Sequence, residues 1–175
     1  MNTKDKIDFC FDVIKRHDHY VATTNFKVAL LMSFLTLVIS GVAIKIVSLP
    51  LPKILSSLHY LSVAFGILTI LSSLMAIIQL LRVVFPRLDT KSTEDSLIFF
   101  GDISKLKNSE NTYYKRIKEC NEDEVLEDLS QQIEIVAQIT TEKFRILSLA
   151  TMIILFLVSP LLLISVILLS INTSL

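Results

Sequence analysis

Three stretches without Asp, Glu, Lys or Arg constrain this chain more than anything else in it. Val28 to Ile44 runs 17 residues between Lys27 and Lys45, Ile54 to Leu81 runs 28 between Lys53 and Arg82, and Ile146 to Leu175 runs 30 after Arg145. A helix needs about 20 apolar residues to cross the hydrocarbon core of a bilayer. The second and third runs exceed that length. The first reaches it because Lys45 can lay its stem along the helix and place its ammonium among the headgroups. A chain of 175 residues has too little other protein to cover three such helices in water. The sequence therefore predicts membrane spans over about residues 28–47, 57–82 and 146–171. Pro160, near the middle of the third, predicts a kink, since proline removes a helical donor and crowds the preceding turn.

The first span is not read as a signal peptide. The 27 residues before it include the four acids Asp5, Asp8, Asp12 and Asp18, and SLPLPK follows it in place of a small-residue cleavage site. Lys and Arg near the span ends set the orientation. Lys4, Lys6, Lys15, Arg16 and Lys27 precede the first span, and ten more lie between Arg82 and Arg145, against only Lys45 and Lys53 at the first connection. The N-terminal segment 1–27 and the block 86–145 are expected in the cytoplasm. Ser48 to Pro52 is expected to form an external turn within an antiparallel hairpin, 28–85, and the C-terminus lies outside.

The cytoplasmic block has local signals of its own. Pro86 should end the second helix, and Ser92 to Asp95 reads as a loop. Leu97 to Phe100 reads as strand-like or as a short buried run, ended by Gly101 and Asp102. Asn111 to Cys120 fits a short helix. Asn121 and Glu124 have the spacing of a capping box. After them Leu126, Leu129, Ile133, Val136 and Ile139 recur every three or four residues, an amphipathic stripe that meets no Pro or Gly before the third span. The fold class is all-α integral membrane protein. It has three transmembrane helices and a small helical cytoplasmic region between spans two and three, whose last helix is continuous with span three.

Composition and motifs exclude several functions. A formal net charge of zero argues against a nucleic-acid polymer as partner. The two cysteines, Cys10 and Cys120, form no CxxC or metal-ligand spacing and read as reduced thiols. His17 and His19 stand two apart, on different faces of a helix. His59 reads as an interfacial histidine and Gln79 as a helix–helix hydrogen-bonding group. GxSxG, HExxH, P-loop and GxGxxG patterns are absent, so neither catalysis nor a cofactor is expected. No charge lies deep in a span, which argues against a proton-driven transporter.

Several short segments, in order along the chain, carry a resemblance. TNFKVALL (24–31) enters the first span, LIFFGDIS (97–104) follows the second, TYYKRI (112–117) comes next, and QQIEIVAQI (131–139) with Lys143 to Arg145 leads into the last. Together these resemble the Pycsar effector transmembrane family over about residues 21–164, with Asn25 where the family pattern usually has aspartate. The resemblance implies a bacterial antiphage effector of the inner membrane. It would sense a cyclic nucleotide, taken as a cyclic pyrimidine mononucleotide, on the cytoplasmic side. It would then disrupt the membrane as a homo-oligomer, causing abortive infection.

A nucleotide needs stacking surfaces and phosphate donors. Phe99, Phe100, Tyr113 and Tyr114 supply the first kind of group, and Lys27, Arg82, Lys143 and Arg145 the second. Gly101 permits close approach, and Asn25 and Asp102 can accept or cap. The alternative for these residues is structural: Phe99 and Phe100 as core, Gly101 as a turn and Asp102 as a helix cap. For the chain, the alternatives are a non-enzymatic membrane anchor or assembly partner and a small channel subunit. Ser40, Gly41, Ala43, Ser62, Ala64 and Gly66 would permit close helix contacts between copies.

Overall fold

A computed structural model describes residues 1–49, 57–85, 96–105 and 112–174. All regular structure among them is helical: α1 (Thr3–Val47), α2 (Ser57–Val84), α3 (Phe100–Lys105), α4 (Thr112–Glu119), α5 (Glu122–Ile153), a π-helical turn (Ile154–Val158) and α6 (Ser159–Ser174). Three helical stretches, Thr3–Val47, Ser57–Val84 and Glu122–Asn172, are long and apolar enough to cross a membrane. The chain is an all-α membrane protein with three such helices. The expected turn at Ser48 to Pro52 lies partly outside the described residues, and Pro86 and Ser92 to Asp95 lie wholly outside them.

The first helix is longer than its apolar run. It starts at Thr3, where the Asn2 side chain accepts from the Thr3 N–H, and continues for 45 residues. At 1.5 Å per residue that is about 68 Å, more than twice the bilayer core. Neither Pro nor Gly interrupts residues 3–40, so nothing in the sequence stops it.

The capping box forms as the spacing predicts. The Glu124 N–H donates to Asn121 Oδ1 at 2.9 Å, and the Asn121 N–H donates to Glu124 Oε2 at 3.2 Å. Helix α5 then runs unbroken to Ile153. Near Pro160, where the sequence predicts a kink, a π-helical turn lies just before the proline: the Ser159 N–H donates to the Ile154 carbonyl, five residues back, and Ser159 Oγ donates to the same oxygen at 2.9 Å. A residue added to one turn moves the preceding carbonyls away from the proline ring without ending the helix.

The chain divides into two compact units. One comprises Met1–Thr23 and Arg87–Glu142. The other comprises Thr24–Pro86 and Lys143–Leu175.

The second unit has an apolar surface and a partly polar interior. Its buried positions on α2 are small or hydroxylated, Ser62, Gly66, Thr69, Ser72, Ser73 and Ala76, before Leu80 and Val83. Its outward positions are large and apolar, among them Leu37, Ile44, Leu71, Ile78, Phe156 and Ile167. Water would not tolerate so continuous an apolar surface, whereas lipid does. Within the bundle, Val28 and Leu35 of α1 pack with Ala76, Leu80 and Val83 of α2 and with Leu147, Ala150, Ile154 and Val158. A Cβ on Gly66 would lie 2.7 Å from Ile46 Cδ1, so glycine lets α1 approach α2 there. Ser62 and Gly66 are therefore consumed within one chain, whereas Ser40, Gly41 and Ala64 remain exposed. Gln79 accepts from Arg82 Nη1 on its own helix at 3.0 Å and, among the described residues, makes no link to another helix.

Candidate functional site

The candidate residues divide between the two units. Phe99, Phe100, Gly101, Asp102 and Tyr113 belong to the first, and Asn25, Lys27, Lys143 and Arg145 to the second.

In the first unit, the segment from Ser96 is neither a strand nor a simple apolar run. Ser96 is buried, Ile98 is 36% exposed, and helix α3 begins at Phe100. The buried Ser96 hydroxyl explains the geometry. Its oxygen accepts from the N–H groups of Ile98 (3.2 Å) and Phe99 (2.9 Å), and from Gln132 Nε2 of α5 at 3.1 Å. One residue on, the Leu97 N–H donates to Asp128 Oδ2 at 2.9 Å, and the Leu97 carbonyl accepts from the Tyr113 hydroxyl of α4 at 3.0 Å. Asp128 and Gln132 are four apart and so share a face of α5. The segment is thus stapled to α5 by two side chains and to α4 by one.

Gly101 is inside α3 rather than in a turn, and its role is close approach. A Cβ there would lie 2.5 Å from Cε1 of Phe99, whose ring covers the glycine. Asp102, in the first turn of α3, is 5% exposed. On α4, Tyr113 is 39% and Tyr114 64% exposed, beside Lys115, Arg116 and Lys118.

In the second unit, Lys143 and Asn25 come together. Lys143 is 5% exposed, and its Nζ donates to the Val83 carbonyl at 2.6 Å and to Asn25 Oδ1 at 3.4 Å. Val83 lies in the last turn of α2, where carbonyls lack helical partners and the helix dipole favours a cation. One ammonium therefore ties α1, α2 and α5. Lys27 and Arg145 are exposed. Farther along the bundle, α2 and α6 share polar contacts: Thr69 Oγ1 lies 2.6 Å from Ser165 Oγ, and Asn172 Nδ2 donates to Ser62 Oγ at 3.0 Å and lies 3.3 Å from His59 Nδ1. Among the described residues no group of His, Cys, Asp and Glu is arranged to hold a metal ion.

The sequence matches the Pycsar effector protein domain over residues 9–171, nearly the whole chain and parts of both units. The chain belongs to the Pycsar effector family. The Pycsar effector protein EcPycTM of Escherichia coli is 31% identical to it over 158 residues, spanning 83% of this chain and 80% of its own. No solved structure matches it. In this member of the family, the Ser96 hydroxyl organises residues 96–99 of the first unit, and the second unit carries the apolar surface.

Ser96, Asp128 and Gln132 were not among the candidate site residues read from the sequence, although Gln132 lies in the QQIEIVAQI segment that carries the resemblance; Asp128 and Gln132 also share an i, i+4 spacing beside the apolar stripe.

Proposed function

We propose that the chain is a bacterial antiphage effector of the inner membrane that senses a cyclic nucleotide in the cytoplasm and then compromises the membrane as a homo-oligomer. Family membership supports the antiphage assignment. The observation that carries the sensing step is the Ser96-centred staple, with Phe99 lying over Gly101 next to a helix that presents Tyr113, Tyr114 and three cationic side chains. Exposed aromatic rings beside Lys and Arg suit a flat base attached to an anionic phosphate. A cyclic pyrimidine mononucleotide is the ligand class in this reading. Phe99, Phe100, Gly101, Asp102 and Tyr113 form the receiving element, and Lys27, Asn25, Lys143 and Arg145 mark the response at the membrane.

The N-terminus and the block 86–145 face the cytoplasm in this reading, by the excess of Lys and Arg there. Helices α1 and α5 each pass from one unit into the other without a break, and a ligand that favours one packing of the first unit biases the second through them. No step is enzymatic. Three spans cannot enclose an aqueous pore, so permeability requires several copies.

Entry of a membrane-impermeant dye into cells expressing the full chain tests the proposal, with cyclic mononucleotides and cyclic dinucleotides supplied one at a time. Dye entry with one nucleotide alone is expected. No entry with any of them, in cells where the protein is inserted, favours a membrane anchor for a partner protein.

A further inference from the structure

The second unit contains six cationic side chains, Lys27, Lys45, Lys53, Arg82, Lys143 and Arg145, and not one Asp or Glu. Among the described ones, only Lys143 is buried against acceptors of the unit itself. Lys45, at the last turn of α1, is exposed. It also stands on the rim of a cleft of about 490 Å³ between α1 and α6, walled by Phe34, Val38, Gly41, Val166 and Leu169. The walls are almost wholly apolar, and nothing lies within 4 Å of where a Gly41 Cβ would be, so the glycine leaves the floor of the cleft open.

We infer that this cleft holds one acyl chain of a phospholipid whose phosphate is bound by Lys45. Three observations select this occupant. The cleft volume is ample for a slender apolar ligand, within the ~300–1,000 Å³ usual for ligand pockets. Apart from Ser170 and Lys45 its walls are apolar, and they offer an aromatic nucleotide little to hydrogen-bond. The cation at its rim suits an anion, and neither this unit nor the same unit of a second copy has a carboxylate side chain to offer. A headgroup phosphate supplies it, at the depth where a lysine meets the membrane surface. The position along the helix agrees: Lys45 is 18 residues from Lys27, about 27 Å along α1, which places the two lysines at opposite edges of a ~30 Å hydrocarbon core. The site does not depend on nucleotide sensing.

Native mass spectrometry of the detergent-purified full chain tests the site, using palmitoyl-oleoyl phosphatidylglycerol and the diacylglycerol with the same chains. The phospholipid should be retained at collision energies that strip the diacylglycerol. Lys45→Gln should weaken its retention about fivefold, as expected for one lysine near a lipid surface, and Lys45→Arg should preserve it. Gly41→Leu, which fills the cleft floor while leaving Lys45 in place, should displace the same adduct without lowering the thermal midpoint of the protein. Equal retention of the two lipids overturns the inference, as does wild-type retention by either Lys45→Gln or Gly41→Leu. Efficient disulfide formation between copies of Gly41→Cys in a bilayer, with no change in phospholipid retention, would assign the cleft to a second copy and also overturn it.

Discussion

The Lys143 ammonium donates to the Val83 carbonyl oxygen across 2.6 Å, and so closes the end of one membrane helix with a side chain from another 60 residues away. A buried ammonium is costly unless it is paired, and a terminal helical carbonyl is an orphan unless something caps it. Each group meets the other's need. Asn25 Oδ1, at 3.4 Å, completes the arrangement more weakly.

Replacing Lys143 with Met keeps the stem and removes the donor. The Val83 carbonyl is then left without its partner, at a cost of about 1–3 kcal/mol. The thermal midpoint of Lys143→Met in detergent is expected to fall clearly. Asn25→Ala, which removes only the longer contact, is expected to lower it less. Equal losses would mean that Asn25, not Val83, is the main acceptor.

Ser96→Ala removes an oxygen that serves three donors. Hydrogen exchange of the Ile98 and Phe99 amides is expected to accelerate by one to two orders of magnitude, corresponding to about 1–3 kcal/mol of local stability. Asp128→Asn keeps an acceptor for the Leu97 N–H and should have a smaller effect than Asp128→Ala, which does not. Exchange rates unchanged in Ser96→Ala would remove the staple as the organiser of this segment.

Gly101→Ala brings two effects into opposition. Alanine favours helix over glycine by about 1 kcal/mol, but here its Cβ meets Phe99 Cε1 at 2.5 Å. The ring must swing away, and the variant is expected to lose protection across α3. Phe99→Leu combined with Gly101→Ala should restore it. A double-mutant cycle read by hydrogen exchange measures this coupling, and additive behaviour would show that the ring does not hold the glycine's place.

Thr69 and Ser165, 2.6 Å apart, link α2 to α6. Polar pairs inside membrane bundles average about 0.6 kcal/mol. Thr69→Val and Ser165→Ala are each expected to cost little, with a coupling near that average in a double-mutant cycle of unfolding in mixed micelles. Coupling well above it would make this pair a principal lock of the bundle.

The spans and the capping box were legible because each is written in consecutive residues. Charge-free length identifies a membrane helix, and Asn121 with Glu124 closes a loop of only three residues. The contacts that shape the candidate site are of another kind. Ser96 meets Gln132 across 36 residues, and Leu97 meets Asp128 across 31. Such pairings leave no local pattern. Lys143 and Asn25 were both legible as polar groups at the membrane edge, yet the main acceptor for Lys143 is a backbone carbonyl, which no sequence position announces. Leu97 to Phe100 reads as strand-like or as a short buried run by composition, and a single buried serine turns it into the approach to a helix. The small residues of α2 were visible, but whether they face their own chain or another depends on the direction of packing.

The apolar surface and partly polar interior of the membrane unit set the scale of signal needed to change it. Large apolar side chains already point into lipid, so rearranging the helices does not require moving greasy surface into water. Resistance to change comes from close fit and a handful of polar contacts, each worth about 0.6 kcal/mol. A messenger present at a hundred times its dissociation constant delivers about 2.7 kcal/mol of preference for whichever state binds it. That sum equals roughly four such contacts, and among the described residues three polar contacts join α2 to α6. A nucleotide bound as proposed would therefore deliver a preference of the same order as the polar contacts between α2 and α6.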